Sequence, residues 1–530
     1  MAESGVAKVK AEYVITNNQY LVPDHKRELV QEYVTPEVKQ AIDKKSQGED
    51  EEDNESGPPS KKIKLKGRNK KRHLPPKTDR GDKLCHALVH GHCKFGESCK
   101  FDHDIERFMK SKPEDIGENC YVFETFGKCP YSFACRYGKK HTAPDFSNII
   151  NNELYEKTGK FPTVYNTLDK KVQDDLRRKK YDFAKANKVF RQIEKFVDES
   201  KSIIKSTENI SSGSDESSAK SQGDTDAADC PAETVKIFDI NFADKLYLAP
   251  LTTVGNLPFR RICKSLGADI TCGEMALITN ILQGKQSEWA LLKRHKCEDL
   301  FGVQICGGWP DTLLRGAQLI NETLDVDFVD LNCGCPIDLI YNKGEGCGLM
   351  RKTNKLCKVV MGMSQMLDVP FTVKMRTGIY ADKSIAHELI PKLRDAGASL
   401  VTLHGRSREQ RYTRLADWEY IDKCAKLGSP MPEQRHWDIS SSERFDMLKN
   451  FVNYGLEHWG SDQQGVETVR RFLLEWLSFL HRYIPVGLLE QVPQKINERP
   501  PFYVGRNDLE TLMKSSNCGD WIKITLVSEQ

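Results

Sequence analysis

VDLNCGCPID (329–338) starts as an apolar run and stops on Asn332, two cysteines, a glycine and a proline. A short Val/Leu run bounded by turn residues reads as a strand, and a strand ending in polar, reactive side chains reads as one member of a parallel β/α array. The pattern repeats on both sides of it. Apolar runs at 245–250, 270–275, 301–306, 371–375 and 400–403 join the one at 328–331 to make six expected strands, with helical patterns such as 386–396 between them. The strands end at Thr252, Glu274, Gln304, Asn332, Lys374 and His404. A β/α barrel assembles its active site from such C-terminal ends. The expected fold class is therefore α/β, a TIM-type β/α barrel over 237–432.

Outward from the barrel the texture changes. Residues 1–80 carry an acidic run at 49–55 and the basic run KKIKLKGRNKKRH (61–73), with too few apolar residues for a core, so disorder is expected. The basic run suits a nuclear import signal or an RNA-contacting arm; a plainly solvated stretch accounts for it as well. Within 160–200, the apolar spacing predicts one long surface helix at 167–199. Ser, Asp and Gly dominate 201–236, the composition of a flexible linker. Residues 433–530 read as a helical domain, with helices at 442–457 and 468–482 and a last strand at 522–527. Its basic pairs, Arg470-Arg471 and His481-Arg482, suit an RNA backbone, with an ordinary amphipathic face as the alternative.

The 530 residues are 38% hydrophobic and 29% charged with a net charge of +3, so any affinity for RNA comes from local patches. MAESGVAKVKAEYV lacks the apolar core of a signal peptide, and no apolar run reaches the roughly 18 residues that span a bilayer. The expectation is an intracellular protein, cytoplasmic, nuclear or both, with no membrane contact and no obligate protein partner. Its 17 cysteines then stay reduced and serve metal, catalysis or core packing.

Residues 82–145 concentrate cysteines and aromatics. Cys85, Cys93, Cys99 and His103 follow a C-x7-C-x5-C-x3-H spacing, and Cys120, Cys129, Cys135 and His141 follow C-x8-C-x5-C-x5-H. Thiolate and imidazole are the ligands of tetrahedral zinc, and a segment without a core needs such a staple. Two clusters with ligands in one order predict two zinc fingers. They resemble CCCH fingers, which commonly bind single-stranded RNA. Lys94, Phe95, Lys100 and Phe101, then Tyr131, Phe133, Arg136 and Tyr137, interleave with the ligands. Such residues either stack bases and meet phosphates or pack a mini-core.

YLAPLTTVGNLPFRRIC (247–263), GVQICG (302–307), VDLNCGCPID (329–338), KGEGCGLM (343–350), VKMRTG (373–378) and LHGRSREQRY (403–412) together resemble the tRNA-dihydrouridine synthases, across about 237–525. With the fingers, the chain is similar to the eukaryotic type acting on the tRNA variable loop. The resemblance implies that NADPH (or NADH) reduces bound FMN, that the flavin delivers hydride to uracil C6, and that a cysteine protonates C5. By the family motif that cysteine is Cys335, directly before Pro336, rather than Cys333. It further implies Pro250, Leu251 and Thr252 under the flavin ring, Gln304 and Lys374 at its polar edge, and His404 near its phosphate or ribityl chain. Asn332, Lys343, Arg376 and Arg406 are the implied uracil or phosphate contacts; for Arg406 a solvated or ion-paired role stays open. tRNA is the implied substrate, with mRNA as a further one. A flavin barrel for a small substrate, such as dihydroorotate dehydrogenase, fits the Asn-Cys-x-Cys-Pro motif and the fingers less well.

A closed barrel needs eight strands. After the expected helix at 418–427, GSPMP (428–432) reads as the entry to a seventh strand, but EQRHWDISSSERF follows at once. The family's Asn-Gly-Asp and Ala-Arg-Gly segments, which hold the FMN phosphate, do not occur after Pro432. About 40 residues, the size of two β/α units' worth of chain, are missing. The terminal TLVSEQ is read as part of the same alteration. The competing expectation is thus an isoform with an impaired barrel that acts as a zinc-finger RNA-binding protein.

Overall fold

The computed structural model describes residues 6–14, 83–91, 93–159, 163–208, 240, 242, 245–426, 438–492, 494–495 and 498–529. Six parallel strands pair in chain order: β1 Tyr247–Leu248, β2 Ile270–Cys272, β3 Leu300–Cys306, β4 Phe328–Cys333, β5 Phe371–Arg376 and β6 Leu400–His404. Each sits on the strand expected from the sequence. The sheet curls as part of a TIM-type barrel. Val303, Ile305, Val329, Leu331, Val373 and Met375 are fully buried in its core. A parallel sheet buried on both faces demands such continuous apolar runs.

Closure is incomplete among the described residues. Neither β1 nor β6 has an outer partner. Both are half-buried along their length, whereas β3 is buried from Phe301 onward. The expected strand-seven entry at 428–432 lies outside the described residues, as does the basic run at 61–73.

The helical segment departs from the expected single surface helix. The helix Lys170–Arg177 stops, Lys179 adopts a φ of 58°, and α1 (Ala184–Glu208) starts anew under an Asp182 cap that accepts from the Ala184 N–H at 2.8 Å. The break lets Tyr181 and Lys185 both reach Glu322, at 2.8 and 2.7 Å. α1 then packs Ala186 and Ile193 against Leu314 of α3 (Pro310–Thr323), beside α4 (Thr353–Met366). It is a brace on the barrel wall rather than a solvated rod. It also runs through Glu208, into the span expected as linker; residues 209–236 lie outside the described residues.

Beyond the barrel, α5 (Trp418–Lys426) is followed by α6 (Ser441–Trp459), which opens with a capping box between Ser440 and Glu443, and by α7 (Gln463–Leu480), capped by Asp462. The stretch expected as a strand at 522–527 is helical instead, inside α8 (Cys518–Glu529). Its β-branched residues are overruled by packing: Ile524 is buried against the core of α6 and α7. Residues 6–14, expected to be disordered, are ordered here. Ala7 and Val9 are buried with Ile484, Leu488 and Tyr503, and bridges pair Val6 with Arg499, Val9 with Leu489 and Val14 with Tyr503. Among the described residues no helix is long and apolar enough to cross a membrane.

Candidate functional site

Strands β3, β4 and β5 share one buried polar network that leads to the turn after β4. Asp330, wholly buried, accepts from Thr372 Oγ1 at 2.6 Å and from Gln304 Nε2 at 2.7 Å. Gln304 Oε1 accepts from Asn332 Nδ2 at 2.8 Å. Asn332 Oδ1 in turn accepts the N–H groups of Gly334, at 3.1 Å, and Cys335, at 2.8 Å. A hydrogen-bonded network anchored on a buried acid rigidifies what it holds, and here it holds the turn that presents Cys335. Gln304 keeps one N–H and one lone pair for a ligand. Asp330 and Thr372 escape the sequence reading; the signal was an acid inside an otherwise apolar strand.

The two cysteines part company. Cys333 is fully buried in the barrel core. Cys335 is 8% exposed, in a small cluster with Cys306 and Ile340. Arg376 ties its turn down: Nε donates to Gly334 O at 2.8 Å and one amino group to Ser407 O at 3.1 Å. Arg376, expected as a substrate contact, is therefore buried as a tether between two loops.

Positive groups crowd the ends of β5 and β6. Lys374 lies across the ladder from Asn332, and Arg376 from His404. Burial lowers the Lys374 pKa, opposed by Asp330. Burial, then Arg376, Lys374 and Arg406, bring His404 down to about 4, so its imidazole is neutral near pH 7. Among the described residues Lys374, Arg376 and Arg406 have no ion-pair partner. Arg406 donates to Arg414 O at 2.6 Å. His404 Nδ1 is buried without a hydrogen-bond partner. An unpaired ammonium and an orphaned imidazole nitrogen fit the anionic edge and phosphate of a flavin. Leu251 and Thr252 lie exposed past β1, next to the half-buried Pro250, and no hydrogen bond joins the three to Gln304 or Lys374. Lys343 is exposed on the loop after Cys335.

Both expected metal clusters assemble. The ligand atoms of Cys85, Cys93, Cys99 and His103, and those of Cys120, Cys129, Cys135 and His141, lie within 4.8 Å of one another. Cys85 and Cys99 sulfurs are 3.7 Å apart, and Cys120 and Cys135 sulfurs 3.8 Å. A tetrahedron with Zn–S bonds of about 2.3 Å has an edge of about 3.8 Å. His103 Nε2 and both His141 ring nitrogens are buried without another partner. The donor sets fit zinc.

The fingers differ in what they leave open. In the first, Phe95 is 70% and Phe101 43% exposed, beside exposed Lys94 and Lys100. In the second, Phe133 and Tyr137 are buried, and Cys120, Cys129 and Cys135 share a core with Phe451, Leu456 and Val466. Arg136 N–H donates to Ser461 O at 2.8 Å, its guanidinium bonds Gln463, and Cys129 Sγ meets Ser461 Oγ at 3.3 Å. Of the two openings left by the sequence for Tyr131, Phe133, Arg136 and Tyr137, packing is the one observed.

Comparison with known proteins matches residues 247–427 to the family described as Dihydrouridine synthase (Dus), and residues 112–144 to the DUS3L CCCH zinc finger domain. A Xenopus laevis protein called "tRNA-dihydrouridine(47) synthase [NAD(P)(+)]-like" is 52% identical over 537 residues, covering 91% of this chain and 83% of its own length. A Homo sapiens protein of the same name is 44% identical over 606 residues, covering 99% of this chain and 93% of its own. Those 606 aligned positions exceed the 530 residues here, so the human relative carries residues that this chain lacks. An Arabidopsis thaliana protein of that name is 37% identical across 82% of this chain and 80% of its own length.

Proposed function

This chain belongs to the dihydrouridine synthase family, and we propose that it reduces uridine to dihydrouridine in tRNA, with FMN as its flavin, NADPH or NADH as reductant and Cys335 as proton donor. The observation that carries the reading is the joint presence, at one end of the sheet, of the Cys335 thiol and the cations Lys374 and Arg406, with the buried Arg376 tether between their loops and no ion-paired carboxylate on the three cations among the described residues. A bound flavin, reduced by the nicotinamide nucleotide, supplies the hydride for uracil C6. The residues of the chain do the rest. Lys374 offsets negative charge at the flavin edge, and the Asp330–Gln304–Asn332 network fixes the Cys335 turn. The thiol proton passes to uracil C5 as C6 gains its hydrogen, which saturates the C5–C6 bond and leaves a thiolate. Solvent then reprotonates the thiolate. The chemistry addresses the uracil ring alone, so a uridine in mRNA presents the same target once it reaches the site.

A second reading is an RNA-binding chain whose barrel does not turn over. It draws on the unpartnered, half-buried edges at β1 and β6 and on the sequence lacking both phosphate-holding segments. Purified chain, supplied with FMN, NADPH and tRNA, distinguishes the two by visible absorbance and dihydrouridine content. Yellow protein and product support the enzyme. Colourless protein without product, beside an active form carrying the seventh and eighth strands, overturns it for this chain and leaves the binding reading.

A further inference from the structure

Trp309 caps α3, is 61% exposed, and follows by three residues Cys306, which shares a small buried cluster with Cys335. Gly308, the residue before it, is pressed onto the loop that follows Cys335: a Cβ at 308 would lie 2.9 Å from Gly344 O and 3.1 Å from Glu345 Cγ. On that loop, a Cβ at Gly346 would lie 3.0 Å from Cys335 Cβ. Two close contacts therefore link the Trp309 turn to Cys335. Lys355 Nζ, on α4, sits 3.8 Å from the indole centroid and steadies one face of it.

Exposed apolar side chains collect around this rim. Leu251, Ile337, Leu339, Tyr380 and Tyr412 are between 42% and 69% exposed, and all follow C-terminal ends of strands. Grouping at one end of a sheet marks a contact surface rather than scattered exposure. The chemistry of that contact is legible in Trp309. An enzyme that reaches a uracil inside folded RNA takes it out of its stack, which strips a stacking partner from the base beside it. An indole with one face held by a cation offers a replacement, and Lys355 adds a positive charge beside it that suits a phosphate backbone.

We propose that Trp309, held by Lys355, is a stacking platform for the base adjacent to the target uridine. The proposal rests on the reading of this chain as a reductase of uridine in RNA. The test uses the 530-residue chain and a single-stranded RNA oligonucleotide carrying 2-aminopurine next to a uridine. The chain should quench 2-aminopurine fluorescence. Trp309→Ala should abolish the quenching and weaken binding about fivefold or more, the effect of losing one stacked base. Trp309→Phe should restore both. Absence of quenching with the unaltered chain, or full quenching by Trp309→Ala, overturns the proposal. Dihydrouridine scored on the same samples separates the two ideas: Trp309-dependent quenching without product sinks the proposed activity and keeps the platform, whereas product without quenching does the reverse.

Discussion

Cys333 and Cys335 sit two residues apart and meet opposite surroundings. Burial, then Cys347 and Asp330, hold the Cys333 thiol well above its ordinary range, and it has no exposed surface. Such a thiol is core filling. Cys335 lies at the rim, with its N–H fixed by Asn332. In a form with the seventh and eighth strands restored, Cys335→Ala should lower dihydrouridine formation by about 100-fold or more, the usual worth of a general acid, and leave flavin reduction by NADPH intact. Cys333→Ala should keep the activity and cost about 1 to 3 kcal/mol of stability. Stopped-flow absorbance and product counting check both; product at the normal rate from Cys335→Ala would remove it from the acid role. The cysteine pair is legible in the sequence at the end of an apolar run, but the preference for Cys335 comes from the family resemblance, whose motif places the acid directly before Pro336. What fixes it in place is less legible. Asp330 reads as one polar residue in VDLN, and only its complete burial against Thr372 and Gln304 marks it as the anchor of the turn.

At the scale of elements, one ion pair latches the helical region to the barrel. Arg261, on α2 (Leu257–Ser265) after β1, donates to Glu457 of α6 at 2.7 Å, and both side chains are more than nine-tenths buried. Thr163 donates to the other carboxylate oxygen at 3.0 Å, and the Arg261 guanidinium lies 3.8 Å from the Tyr454 ring centroid. Burial pushes the Glu457 carboxyl up, but His295, Arg261 and Thr163 more than reverse it and hold it down to about 2. A carboxylate depressed in the folded state stabilises above its unfolded pKa of 4.5, and that contribution fades as pH falls from there towards 2. Glu457→Gln should therefore flatten the acid limb of the stability curve across that window. Near neutral pH it should cost about 3 to 5 kcal/mol, because Arg261 is left buried without a counter-charge. Thermal melts from pH 7 down to 3 check this, and an unchanged melting temperature at pH 7 would show that the latch contributes nothing. The two helices it joins announce themselves by apolar spacing, but their pairing does not: it joins residues 196 positions apart. α8 fails locally for the same reason, since Ile522, Ile524 and Val527 favour a strand until α6 and α7 supply a surface for a helix.

Across the whole molecule, the ends of the chain and the second finger converge on one helical region. Val6 to Val14 bridge to residues between 489 and 503, and Tyr131 of the finger lies under Gly460, where a Cβ would come within 2.4 Å of its ring. The spacing of cysteines announces two metal sites alike and is silent on what each is packed against. Burial separates them: Cys129 and Cys135 are fully buried in the helical core, whereas Cys93 and Cys99 are not. Zinc binding free energy is folding free energy in a segment without its own core. Loss of metal from the second finger must then be felt by Phe451, Leu456 and Val466, and loss from the first by a smaller cluster in which Val89, Ile105 and Phe108 pack on Phe133 and Ala134 of the second finger, away from the helical core. Cys129→Ser should lower zinc content by one ion, weaken the near-ultraviolet signal of Trp459 and Trp476, and open the chain between 440 and 480 to protease. Cys99→Ser should lose one zinc too, yet keep that signal and that protection, and weaken tRNA binding about tenfold through Phe95 and Phe101. Equal protection in the two variants would mean that the second finger merely rests on the helices. Unequal protection would make it a metal-dependent part of their core, leaving the first finger to meet RNA.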